Sequence, residues 1–294
     1  MIRILCRLSI CLLLFCSCYS PRYVYSPAAH NVSFLTKKNE TKLAANYSTN
    51  IVGHNSEGSK VTKNSASGLD AQAAYALNKR WFLQASYYSR KEQNDGDYSF
   101  RNQDSSILHY KRKLLETGLG YNFPIDARRN ANFQLAGGIG FGRFRIDDAG
   151  TDANQLPYTR FHDARVTKFY IQPAIVVGGA DVFAAAFSSR FSFIKYHGIK
   201  TDYTPTELNN YKLDSLTYRL ASFWEPAFVS SFGFKKLPGL RLEGQMGLSI
   251  LMSKNFVDAR VFNFSAGIVL DLPRLLDRKK QPAKNAVAVH ISSL

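Results

Sequence analysis

Lys168–Tyr196, KFYIQPAIVVGGADVFAAAFSSRFSFIKY, reads as two long β-strands joined by a tight turn at Gly178, Gly179, Ala180 and Asp181. Paired glycines and Asp supply the positive-φ conformations that short hairpin turns need. In the first arm Phe169, Ile171, Ile175 and Val177 alternate with Tyr170, Gln172, Ala174 and Val176. In the second, Phe183, Phe187, Phe191 and Phe193 alternate with Ala184, Ala186, Ser188, Arg190 and Ser192. One face is broad and apolar; the other is small, with an amide and a guanidinium in it. In a soluble sandwich the apolar face is core and the polar face meets water. In a transmembrane barrel the apolar face meets lipid and the polar face fills the lumen.

Working outward, the chain of 294 residues has no linker in its middle and reads as one main domain. Aromatics make up 13%, with 21 Phe and 16 Tyr but only 2 Trp. Mean hydropathy is −0.21. Beyond the N-terminus no apolar run approaches the ~20 residues of a membrane helix, so a membrane role has to come from strands.

The chain starts MIRILCRLSICLLLFCSC, with Arg3 and Arg7 before the apolar run Leu8–Phe15, the pattern of a secretory signal. All four cysteines lie here, so loss of the segment leaves no intramolecular disulfide. Phe15-Cys16-Ser17-Cys18 resembles a bacterial lipobox, with Cys18 as the acylated residue and palmitate as an expected acyl group. Residues 1–17 are thus read as signal peptide and 18–40 as a lipidated periplasmic tether. Residues 41–272 form the barrel, and 273–294 a basic, mobile C-terminal tail on the same side as the tether. The tether has no period and two Ser-Pro steps, which favours extended chain.

Alternation predicts ten strands: Thr41–Thr49, Gly68–Leu77, Arg80–Arg90, Ile107–Tyr121, Ala131–Arg145, Val166–Gly178, Asp181–Tyr196, Leu216–Phe234, Leu240–Met252 and Val261–Asp271. Their connections alternate in length. Those near 78–79, 123–130, 179–180 and 235–239 are short. Those at 50–67, 91–106, 147–165, 197–215 and 253–260 are mostly long and polar. In an up-and-down sheet this puts all short turns at one end and all long loops at the other, as in outer-membrane barrels, which also favour even strand counts.

With the more apolar face outward, the inward set is Gln72, Gln84, Glu116, Gln134, Gln172, Arg190, Arg219, Glu225, Arg241, Glu243, Gln245 and Asn263. Small residues such as Gly118, Gly120, Gly138 and Gly140 sit between them and suit a narrow, packed lumen. The charges Glu116, Arg190, Glu225, Arg241 and Glu243 read as a salt-bridge network filling that lumen, because a buried carboxylate needs a partner. Pro173 and Pro226 lie inside strands and predict a bulge or local break at each.

Net charge is +16, and the positive groups collect at strand ends, Lys111-Arg112-Lys113 among them. Such groups suit the phosphates of outer-membrane lipid and lipopolysaccharide, or equally a solvated basic rim with no specific partner. No nucleic-acid-binding motif is present, and nucleic acid is not expected as a partner. The six histidines show no metal spacing, no GxSxG or phosphate-binding loop occurs, and no cofactor or metal is expected. His162-Asp163 and Asp147-Asp148 form the one enzyme-like pattern, that of omptin proteases, barrels with an Asp pair and an Asp-His pair at the outer rim.

FYIQPAI, FAAAFSSRFSFI, FWEPAF and VFNFSAGIVL, behind the Cys18 lipobox, resemble the uncharacterised outer-membrane β-barrel lipoproteins of Bacteroidetes-type bacteria. That resemblance implies a location and a fold and no activity. The expectation is an all-β, antiparallel up-and-down transmembrane barrel of about ten strands in the outer membrane. Both termini are expected in the periplasm, with the lipid in the inner leaflet. The expected role is non-enzymatic, structural or interaction-based, with a polar and largely plugged lumen. Alternatives are a narrow channel or transporter for small solutes or apolar ligands, and an omptin-like surface hydrolase. Ligand, conduction, protein partners and oligomeric state are not readable from these residues.

Overall fold

The computed structural model of the chain describes residues 22–35, 37–49, 63–97, 105–126, 131–151, 154, 156–178, 183–234, 236–253 and 257–277. Signal peptide, Cys18, the turn at 179–181 and the distal tail lie outside them.

A three-residue strand, β1 (Tyr23–Tyr25), precedes the barrel. The barrel strands are β2 (Thr41–Thr49), β3 (Lys63–Ala76), β4 (Trp81–Asp97), β5 (Ser105–Pro124), β6 (Ala131–Thr151), β7 (Pro157–Gly178), β8 (Phe183–Thr201), β9 (Ala221–Phe234), β10 (Leu237–Leu248) and β13 (Phe262–Leu270). The short β11 (Ile250–Leu251) continues the line of β10 along β9, and β12 (Asp258–Ala259) pairs with β1 in parallel. Each barrel strand pairs antiparallel with its sequence neighbour; β13 joins β10 to β2 and closes the cylinder. Closure removes the ladder edges that a bilayer cannot hydrogen-bond.

Period-two alternation sorts the side chains as expected. On β7, Phe169, Ile171, Ile175 and Val177 are about half exposed while Tyr170, Gln172, Ala174 and Val176 are buried. The outward apolar stretch covers 115–123 on β5, 133–141 on β6 and 169–177 on β7, close to the ~9–11 residues of a membrane-crossing strand. At the short-turn end Trp81, Tyr121 and Phe123 form an aromatic girdle, with ring centroids 4.8 and 4.5 Å apart.

Several strands run well past that belt. β5, β6 and β7 reach 20, 21 and 22 residues. Much of 91–106 and 147–165, expected as loop, is therefore strand. Above the belt the two faces exchange character. Lys111, Lys113, Arg143 and Arg145 face outward, while Leu108, Tyr110, Phe144, Ile146, Ile194 and Tyr196 pack inside. Helix α1 (Pro205–Asn210) and a 3-10 turn (Asp214–Thr217) add Tyr203, Leu213 and Leu216 to this upper core. Leu216–Leu220 is thus not the start of a strand, and Arg219 is exposed rather than inward. Its run of alternating apolar residues serves a lid folded over the mouth.

Both prolines interrupt the ladder without shifting it. Ile171↔Phe191 and Ala174↔Ser188 share one register across Pro173, and Gly247↔Ala227 and Ile250↔Trp224 share one across Pro226. These are local breaks; the irregularity in β7 falls at Asp163/Arg165 instead. The glycines of the packed lumen make room for rings: a Cβ on Gly120 would stand 2.0 Å from Phe82, and one on Gly118 2.5 Å from the Tyr170 hydroxyl.

The tether expectation fails in its location. Residues 22–35 are extended, but they run down the inside of the barrel, nearly all buried. Arg22 lies at the long-loop end, beside Asp148 and Tyr211, and Asn39 lies at the short-turn end, bonded to Ala76. After Asp271 the chain forms α2 (Leu272–Asp277), and Arg274 binds Glu40 at 2.6 Å and Asp271 at 3.1 Å. Residues 22 and 277 are therefore at opposite ends, so the start of the expected tether and the start of the expected tail do not share one side. Fourteen extended residues reach about 46–50 Å, enough to cross a ~25 Å apolar band.

The belt makes a depth-dependent prediction. Leu119→Arg, at the middle of the β5 stretch, is expected to cost about 2–4 kcal/mol, whereas His109→Arg, above it, costs about 0–1. Urea unfolding of the protein in vesicles measures both.

Candidate functional site

Buried polar groups converge in the lumen, and the chain's own residues 22–35 occupy it. Beyond β1, which pairs with β12, residues 26–35 have no sheet partner, and such a stretch leaves its peptide groups to be satisfied by side chains. The barrel wall supplies them level by level. The Tyr196 hydroxyl donates to the Val24 carbonyl at 3.1 Å and the Tyr88 hydroxyl to the Ser26 carbonyl at 3.3 Å. The Ala29 amide donates to Asp70 at 3.1 Å, and the Gln72 amide donates to the Ala29 carbonyl at 3.3 Å. The His30 amide donates to Gln245 Oε1 at 3.0 Å. Gln172 donates to the Asn31 carbonyl at 3.2 Å, Lys42 to Val32 at 2.9 Å, Gln134 to Ser33 at 2.5 Å and Asn122 to Leu35 at 3.4 Å.

Apolar residues of the thread fill sockets between these bonds. Ala28 packs with Tyr88 and Leu114; Val32 with Val176, Ala186 and Val229; Leu35 with Ala74 and Ala76. Tyr25 stacks on Phe223 with centroids 4.4 Å apart. Asn31 Nδ2 donates to the carbonyls of Ala73 and Ala85 at 2.9 and 3.1 Å, and His30 Nδ1 lies 3.0 Å from Ser188 Oγ.

The ionic centre lies at the level of Tyr25. Lys168 Nζ is 2.9 Å from Glu116 and 3.8 Å from Glu225, and Arg190 is 3.6 Å from Glu116. Tyr25 donates to Glu225 at 2.6 Å, Ser192 donates to the same carboxylate, and Arg190 Nε donates to Gln172 at 2.8 Å. Two acids thus face two bases with all four buried. A second pair, Lys42–Glu243 at 2.9 Å, sits beside Gln72. At the mouth Arg22 binds Asp148 at 2.7 Å, and Tyr203 donates to Asp148 at 2.8 Å. Burial pushes the Tyr203 phenol above its ordinary range, with Asp148 adding to the shift against Arg22, so it remains a donor.

Of the lumen residues named from sequence, Gln72, Gln84, Glu116, Gln134, Gln172, Arg190, Glu225, Arg241 and Glu243 are all buried on the inner face. Gln72, Gln134 and Gln172 bond the thread; Glu116, Arg190 and Glu225 share the ionic centre. Gln84 donates to Tyr170 at 2.9 Å and Arg241 to Ser231 at 2.8 Å. Cys18 lies outside the described residues. Sequence reasoning missed Lys42, Asp70 and Lys168, although each has inward parity: Lys168 with Tyr170 and Gln172, Lys42 with Ala44 and Asn46. It also missed the thread's role, which no local pattern carries.

The omptin-like pattern does not assemble. Adjacent residues on a strand point to opposite faces. Asp147 is outside with Lys111 and Arg145, while Asp148 is inside with Arg22. Asp163 is bound outside by Arg143, and His162 is buried inside, neither ring nitrogen having a hydrogen-bond partner among the described residues. No group of metal-binding side chains occurs among the described residues.

No protein-family model matches the chain, and no curated protein matches it. A solved structure described as the TodX monoaromatic hydrocarbon channel deltaS2 mutant is 8% identical, covering 81% of this chain and 90% of that one, with a TM-score of 0.29. A likeness at that score carries no argument about the role of this chain.

The ionic centre predicts a large effect from a small change. Lys168→Met leaves Glu116 and Glu225 facing Arg190 alone and is expected to cost about 3–5 kcal/mol. Adding Glu116→Gln is expected to restore a large part of that. A double-mutant cycle by denaturant unfolding measures the coupling.

Proposed function

We propose that this chain is a non-enzymatic outer-membrane barrel whose lumen is held shut by its own N-terminal segment. Its role is structural or interaction-based, carried by the surfaces it presents on either side of the membrane. The single observation behind this reading is the burial of residues 22–35 along the barrel axis. On the flanks of the thread, a cavity lined by Phe34, Leu35 and Arg241 and another lined by Val24, Tyr25 and Ala28 measure about 30 Å³ each. Each is on the scale of a single water. A solute path would need the thread to leave, breaking its bonds to Gln72, Lys42, Gln134 and Gln172 together.

The same reading takes the long-loop end as the cell exterior and the short-turn end as the periplasm, in keeping with outer-membrane barrels. It also revises where an acylated Cys18 belongs. Cys18 precedes Arg22 by four residues, a reach of at most about 14 Å. Arg22 is fixed at the long-loop mouth by Asp148. The lipid then belongs to the exterior face and not to the inner leaflet, and the thread becomes the covalent link between a surface anchor and a periplasmic turn at Asn39.

Planar-bilayer recording tests the closed lumen: the full chain is expected to show no steady ion steps, and a chain lacking residues 22–35 to show them. Steady steps from the full chain would establish the channel alternative in its place. For the anchor, Cys18→Ala is expected to abolish palmitate incorporation. A tag placed after Ser20 is expected to be reached by antibody on intact cells, together with a tag in the 50–62 loop. Access to the first tag only after the outer membrane is opened would place the lipid in the periplasm.

A further inference from the structure

Immediately above the apolar belt, the outer face of β5, β6 and β7 carries a block of cations. In the row nearest the belt Lys113 is directly opposite Arg143, and Arg143 directly opposite Arg165. In the next row Lys111 is opposite Arg145, and Arg145 opposite Asp163. Asp163 binds Arg143 and Arg145, and Asp147 binds Lys111 and Arg145. Five cations thus meet two carboxylates, and among the described residues neither Lys113 nor Arg165 has an anionic partner.

Like charges placed directly opposite on neighbouring strands repel. Among the described residues, only Arg143 of the row of three is met by a carboxylate, Asp163 of the next row, so this face carries an excess of positive charge centred on Lys113 and Arg165. Its height is informative. One step below it, about 6.6 Å along each strand, Leu115 is opposite Phe141 and Phe141 opposite Thr167. Leu115 and Phe141 are 59% and 58% exposed, among the most exposed apolar side chains of the belt. A molecule lying against this face meets hydrocarbon-binding side chains below and cations above, within one ladder step.

We infer that this strip is a binding site for a phosphorylated lipid, its phosphate on Lys113, Arg143 and Arg165 and its acyl chains along Leu115, Phe141 and Phe169. The charge is complementary, the apolar belt continues directly beneath it, and Arg165, with no carboxylate partner among the described residues, supplies the paired donors that suit phosphate oxygens. The inference rests on the membrane-spanning reading and names a partner for its outer face. Loss of each cation at a membrane surface is worth about a fivefold change in binding.

The test uses the full chain reconstituted in vesicles of phosphatidylcholine, with and without bis-phosphorylated lipid A, and native mass spectrometry of the lipid retained. Wild type is expected to keep the phosphorylated lipid and to release phosphatidylcholine. The variant Lys113→Gln/Arg165→Gln is expected to bind it about 25-fold more weakly, while Lys79→Gln/Arg80→Gln/Lys236→Gln at the opposite end is expected to match wild type. If the first variant inserts and retains the lipid as tightly as wild type, or if phosphatidylcholine is held equally well, the inference is wrong and the barrel reading stands. If wild type enters no vesicle of either kind, the membrane-spanning reading fails and the inference falls with it.

Discussion

Every buried peptide group needs a hydrogen-bond partner, and this structure satisfies that requirement twice over. In the wall, closure of β13 onto β2 and β10 pairs the strands with each other. Inside, residues 26–35 belong to no sheet, and their carbonyls and amides are met by amide, hydroxyl and ammonium groups projecting from the wall. The lumen is polar because it has a backbone to solvate. That explains why Gln recurs on inner faces: one side chain offers both a donor and an acceptor and carries no charge to neutralise.

The surrounding medium imposes the second pattern. Along the belt the large apolar residues point out and the polar ones in. Where β5–β8 rise above the belt, the outside becomes charged and the inside gains a hydrophobic cluster of Leu108, Phe144, Ile146, Ile194 and Phe223, packed with the buried Glu92, Arg112 and Arg260. The exchange happens along single strands, without a break in the ladder, between Phe141 and Arg143 on β6 and between Leu115 and Lys113 on β5. A strand can do this because its faces are independent: the backbone bonds are the same whichever side chains it carries. The lid at Tyr203–Leu216 follows from it, since a hydrophobic core at the mouth needs a cover.

The ionic centre ties these parts together. Lys168 and Arg190 come from the wall, Glu116 and Glu225 from two further strands, and Tyr25 from the thread. Removing charges from water costs several kcal/mol per ion, so such a group persists only when each member is matched. Here the match includes a hydroxyl of the thread itself, so wall and thread are ordered by one network. Pro173 and Pro226 lie next to Gln172 and Glu225, where the ladder is locally broken and side-chain bonds take over its role.

Alternation of side chains, readable residue by residue, determined the number of strands, their antiparallel order, the outward apolar set and the inward parity of residues such as Gln172, Arg190 and Glu225. These are local properties with a period of two. Strand ends were legible only where alternation stopped at the belt edge. Past it the outward residues turn polar, and the pattern resembles loop, as at 147–165. The tertiary structure alone decided that residues 22–35 cross the lumen and that Asp147 and Asp148 part company. It also decided that Lys113, Arg143 and Arg165 form one row. An extended segment has no period to betray its surroundings. Apart from Lys42, the side chains that hydrogen-bond it stand 41 to 215 residues away in the chain, brought to it only by closing the sheet.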